Sequence, residues 1–275
     1  SGANIPQDEI MLPELLRANG YATHGVGKWH NGQPSFKRCF ESGGNIFFGG
    51  MFNNQFKPAV CQMNAEGSGF SQNKVVDKHA TELFADGAVD FLEKYKGDKP
   101  FFLYTAFTSP HDPRTPPQKY LDMYDPERIS LPENFLPRHP FDNGEMTIRD
   151  EKLAPWPRTP DVIRRHIADY YAMISHLDAE IGRILAALQK SGQADNTIIV
   201  FTADHGLAVG RHGLMGKQSV YEHSVRVPLI FSGPGIPKGE TRDAFSYLMD
   251  IYPTLCELLG LSLPKTVEGK SLAPA

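Results

Sequence analysis

The sequence predicts an α/β fold, a predominantly parallel mixed sheet with helices on both faces. Three observations carry that expectation. Short apolar or β-branched runs at 21–26, 100–107, 196–203 and 227–233 alternate with stretches of helical spacing. The run PFFLYTAF (100–107) is apolar throughout, as a strand covered on both faces must be. A chain of 275 residues, 40% hydrophobic and 22% charged, is long enough to bury one large core.

The elements follow in order. QDEIMLPELLRANG (7–20) reads as a short amphipathic helix closed by Gly20, and YATHGV continues it as a strand. From Asn31 to about Asn73 periodicity dissolves into Gly, Asn, Gln and Phe, the mark of a functional loop segment. Helical spacing returns over 73–97 through Val76, Ala80, Leu83, Ala88, Phe91 and Leu92. After the strand at 100–107, half of the 22 prolines fall between Pro110 and Pro160, which predicts an irregular stretch. Thr159-Pro160-Asp161 starts a long helix with Pro at its first position, and Ser191-Gly192 ends it. Strands at 196–203 and 227–233 and a helix at 250–260 complete the pattern. The whole reads as one domain, 1–275, with 31–73 and 110–160 as irregular segments near the site.

Composition narrows the partners. A net charge of −4 argues against nucleic acid and against an anionic membrane surface. No apolar run reaches the length of a membrane span, and the first residues carry no signal pattern. Cys39, Cys61 and Cys256 lack metal or redox spacing; a Cys39–Cys61 bridge and buried free thiols are the two readings. Neither oligomeric state nor compartment is written in the residues.

In open parallel sheets ligands bind outside the carboxyl ends of the strands. The first strand runs into GKWH, with Lys28 and His30. The strand at 100–107 runs into TSPHDP, with His111. The strand at 196–203 runs into Asp204-His205, and Lys217 follows in HGLMGKQ. If the strands are parallel, all three clusters open on one edge. Each residue alone has a plainer explanation: Asp204 as a helix cap, His30 as a core histidine, Lys28 and Lys217 as solvated lysines, and His111 as a turn residue. Together they describe a site for a small anionic ester. Asp204 would hold a divalent cation, Lys28 and Lys217 would spread negative charge on a sulfuryl or phosphoryl group, and histidines would move protons near neutral pH. Arg211 and His212 lie close in sequence without an assigned role.

These segments resemble the sulfatases, a family of the alkaline-phosphatase-like superfamily. GYATHGVGKWH (20–30) is similar to that family's second signature, FLYTAFTSPHDP to its histidine loop, VFTADHGLAVGRHGLMGK to its metal-and-lysine segment, and VRVPLIFSGPGI to its next strand. The resemblance implies the alkaline-phosphatase-like fold and an arylsulfatase-like sulfuric ester hydrolase. Its substrate would be a small anionic sulfate ester, a sulfated carbohydrate or an aryl sulfate. It implies Asp204 and His205 as metal ligands, for Ca²⁺ or Mg²⁺. It implies Lys28 and His30 as the contacts that activate a formylglycine nucleophile, His111 as a sulfate contact and leaving-group acid, and Lys217 as a second sulfate lysine. Relatives are typically periplasmic or extracellular.

One part of the pattern is missing. No cysteine stands in a Cys-x-Pro-x-Arg context, and the early Asp-Asp pair of the metal site is absent too. The expectation is therefore a sulfatase incomplete at both ends, without formylglycine in this chain and inactive alone. Two other readings stand beside it: a phosphoesterase or phosphonate hydrolase of the same superfamily, and a truncated paralogue that binds anions without turnover.

Overall fold

A computed structural model describes residues 5–273. In chain order the elements are α1 (Leu12–Ala18), β1 (Ala22–Lys28), α2 (Gly32–Cys39), β2 (Ser42–Phe47), β3 (Ala59–Val60), β4 (Lys74–Val75), α3 (Ala80–Lys94), β5 (Phe101–Ala106), α4 (Gln118–Leu121), α5 (Pro160–Lys190), β6 (Ile199–Thr202), α6 (Glu222–Val225), β7 (Leu229–Ser232) and α7 (Ile251–Leu258). They fall into two compact units. The first is Ser1–Pro113, Glu180–Thr197 and Gly233–Ala275; the second is Arg114–Ala179 and Ile198–Ser232.

The first unit is built on a parallel three-stranded sheet ordered β2-β1-β5. Alternate residues of β1 face opposite layers. On one side Gly25 admits the ring of Phe36 from α2; a Cβ there would lie 2.6 Å from that ring. Phe36 joins Trp29, Cys39, Phe40, Ile46, Cys61 and Met63 in one buried cluster. On the other side Val26 packs with Phe52, Val60, Ala80, Leu83 and Phe84, which brings α3 onto the sheet. The cysteines are free and buried, and burial pushes the Cys39 thiol up to about 12. They behave as apolar packing atoms.

Gly27 sets how closely the two main strands approach. Its φ is +87°, and a Cβ would lie 2.1 Å from the carbonyl oxygen of Ala106 on β5. Gly27→Ala should therefore destabilise the chain by about 1–3 kcal/mol, through backbone strain and overpacking. An unchanged urea midpoint would refute this.

The second unit departs from the parallel pairing of the first, as a predominantly parallel mixed sheet allows. Among the described residues β6 pairs only with β7, antiparallel, from Ile199 opposite Ser232 to Thr202 opposite Leu229. The link between these strands is long enough for a parallel crossover, but it holds only the four-residue α6 and no helix that would carry the chain back along the sheet. The unit's core comprises Ala154, Ile163, Ile167, Leu207, Val209 and Met215. Residues 31–73 also depart from expectation, because α2 and β2 form inside the segment read as irregular. Residues 114–159 are irregular, with one four-residue helix and two 3-10 turns.

His24, in β1, sets a pH dependence. It stacks on Phe91 at 4.5 Å and bonds the Ser42 hydroxyl at 2.8 Å through Nδ1. Burial holds its pKa down to about 4, against the pull of Asp90; the ordinary value is 6.5. Between those values the unfolded chain takes up a proton that the folded chain resists. Stability from this group is thus full above pH 6.5 and is lost as pH falls toward 4. The loss of thermal stability between pH 7 and pH 4 should be smaller in His24→Phe, and an equal loss in both proteins would contradict the assignment.

Candidate active site

Parallel pairing of β1 with β5 places two of the three expected strand ends on one edge of the first unit, with Gly27 in register with Ala106. Lys28 is the last residue of β1 and is half-buried. Trp29 turns inward, where its indole N–H donates to the Ser35 hydroxyl at 2.8 Å and its ring meets Phe36, Phe40 and Tyr104 edge-on. That anchor fixes the turn in which His30 stands exposed.

His111 lies in the loop after β5. Its backbone N–H donates to the Thr108 carbonyl at 2.9 Å. Its Nδ1 donates to the Asp112 carbonyl at 2.9 Å, and the Asp112 carboxylate is 3.5 Å from the same atom. Asp112 is only 2% exposed. A backbone acceptor on Nδ1 holds a proton on that nitrogen and orients the ring, so Nε2 is the nitrogen through which it can exchange a proton with a ligand. Asp112 is a functional candidate with no signal of its own in the sequence beyond its place next to His111.

The third strand end belongs to the second unit. Asp204, two residues beyond β6, is exposed, and its Oδ1 accepts the His205 backbone N–H at 3.0 Å. His205 donates from Nδ1 to the Gly206 carbonyl at 3.1 Å, which leaves Nε2 3.5 Å from Asp204 Oδ2. The pair is one carboxylate and one imidazole. Ca²⁺ takes six to eight oxygen ligands and Mg²⁺ an octahedral set. Among the described residues no third His, Cys, Asp or Glu joins the pair. This chain alone therefore does not fit the expected cation.

Lys217 lies in the same unit, 23% exposed at its side chain and 3.7 Å from Asp150. Its loop is pinned from beneath. The buried Glu151 carboxylate accepts the backbone N–H groups of Met215 (3.0 Å) and Gly216 (2.8 Å), and the Arg158 guanidinium at 2.7 Å. Asp150 and Glu151 also escaped the sequence reading, since nothing marks them within the proline-rich stretch. A cavity of about 730 Å³ lies elsewhere in the first unit, lined by His24, Ser42, Asp86, Asp90 and Tyr95 among others; none of the six expected site residues lines it.

The fold is alkaline-phosphatase-like, as in a solved sulfatase-like structure that superposes with a TM-score of 0.78. Within that class the chain belongs to the sulfatase family: the family model for sulfatases matches residues 2–261. A sulfatase of Formosa agariphila is 33% identical over 97% of this chain and 55% of its own length. A solved structure in complex with its substrate D-glucosamine-2-N,6-O-disulfate superposes with a TM-score of 0.77 at 24% identity, covering 99% of this chain and 65% of that one. A phosphonate monoester hydrolase of Silicibacter pomeroyi shares the fold, with a TM-score of 0.73 at 24% identity over 99% of this chain and 62% of its own. The chain thus spans about half the length of the curated relatives it matches. Among the described residues no helix is long and apolar enough to cross a membrane.

Proposed function

We propose that the whole protein is a sulfuric ester hydrolase acting on a sulfated carbohydrate, and that this chain supplies its anion-binding and proton-transfer residues. The observation that carries the proposal is His111 with its Asp112 partner, beyond the parallel β5 and beside the Lys28 end of β1, in a segment matched to the sulfatase family. Lys28 and Lys217 are assigned to the sulfuryl oxygens, where fixed positive charge stabilises the transition state. His111 delivers its Nε2 proton to the departing alcohol oxygen, and the resulting neutral imidazole keeps its Nδ1 bond to the Asp112 carbonyl. His30 accepts the proton in the step that frees sulfate. Asp204 and His205 are assigned as this chain's share of a cation site. The nucleophile expected in the family, formylglycine, has no precursor cysteine here.

A carbohydrate substrate is favoured by the glucosamine disulfate bound in the structurally similar protein. The test is release of inorganic sulfate by the whole protein from D-glucosamine-2-N,6-O-disulfate and from 4-nitrophenyl sulfate. The sugar is expected to give the higher kcat/KM. A higher value for the aryl ester would overturn the carbohydrate assignment and leave the sulfatase one.

A further inference from the structure

We propose that Asp150 is a positioning residue for the reaction, holding the Lys217 ammonium ready for a sulfuryl oxygen. The inference rests on the reading that Lys217 contacts the sulfate.

The side-chain carboxylate of Asp150 is 6% exposed, and its Oδ2 lies 3.7 Å from Lys217 Nζ. That separation exceeds a hydrogen bond, so the two attract through space. The carboxylate is itself held. Oδ2 accepts Gln218 Nε2 at 3.0 Å, and Oδ1 accepts the Arg149 guanidinium. Gln218 Oε1 in turn accepts the Lys217 backbone N–H at 3.0 Å. One side chain therefore ties the backbone of Lys217 to the carboxylate facing its ammonium. Close approach depends on Gly216: a Cβ there would lie 2.9 Å from Asp150 Cβ and 2.7 Å from Gln218 Oε1.

A lysine ammonium sits on a flexible four-carbon stem. An ammonium already confined need not be ordered when charge builds on the sulfuryl group, and that advantage appears in kcat. Asp150 is not assigned to substrate or to reacting atoms. It acts through Lys217.

The test is a double-mutant cycle in the whole protein, with 4-nitrophenyl sulfate as the turnover probe and inorganic sulfate as the binding probe. Asp150→Asn should lower kcat by about ten- to a hundredfold, the scale of a misplaced catalytic group, with a smaller change in KM. The same substitution made on Lys217→Ala should cost nothing further, in turnover or in inhibition by sulfate. An equal loss in both backgrounds would overturn the proposal, because Asp150 would then act independently of Lys217. Near-normal turnover in Lys217→Ala alone would instead refute the sulfate-contact reading, a distinct result. Should Asp150→Asn fail to fold, Gln218→Met removes the link from the other side. It should lower kcat only when Lys217 is present, and no loss at all would overturn the proposal.

Discussion

Lys217→Ala in the whole protein is expected to lower kcat for sulfate-ester hydrolysis by about 10²–10³-fold, the usual consequence of removing one preorganised charge from an oxyanion. His111→Ala should cost about 10²–10⁴-fold, the range for a positioned general acid. The two losses should differ in kind. An alcohol that leaves readily needs little protonation, so a nitrophenyl ester should suffer less from His111→Ala than a sugar sulfate does. Lys217→Ala should penalise both substrates alike. Steady-state kinetics on the two esters reads this directly, and near-normal rates in both variants would remove the assignment.

Glu151→Ala should be the most damaging single change to stability in the second unit, at about 3–5 kcal/mol, the cost of breaking a buried ion pair from one side. Arg158 has no exposed side-chain surface and stacks 3.5 Å above the Trp156 ring. Burial pulls its pKa down, and Glu151 works against that. Without Glu151 the guanidinium keeps its bonds to the Gly213, Ala154 and Glu151 backbone carbonyls but loses its countercharge, while two buried backbone N–H groups lose their acceptor. Urea unfolding measures the effect, and an unchanged midpoint would show that the pair contributes nothing to folding. Glu151→Gln keeps an acceptor in place and should cost less.

The contrast between these residues shows what the sequence made legible. Lys28 and His111 could be found because each follows a run of period-2 or continuously apolar residues, so a local pattern announces both the strand and its end. The strand at β1 was legible to within two residues, since GKWH carries the turn that follows it. The helix α2 was not legible. Its Gly32 and Pro34 speak against a helix, and its burying residues Phe36 and Cys39 amount to one turn of signal. Asp150 and Glu151 were invisible for a different reason. The partners that tie them to the Lys217 loop, Met215, Gly216 and Gln218, stand 64–68 residues away, and a carboxylate in a proline-rich stretch gives no local sign of what it will meet. The antiparallel return of β7 depended on what the intervening link lacked, a crossover helix, which hydrophobic periodicity of the strands cannot report.

Lys28, His30, His111 and Lys217 are assigned to a sulfuryl group. The most direct test compares kcat/KM of the whole protein for an aryl sulfate and for the phosphonate monoester of the same aryl alcohol. The sulfate is expected to be the better substrate, and Lys217→Ala to erase most of its advantage. A faster phosphonate would contradict the assignment and place the protein with the phosphonate monoester hydrolases that share its fold.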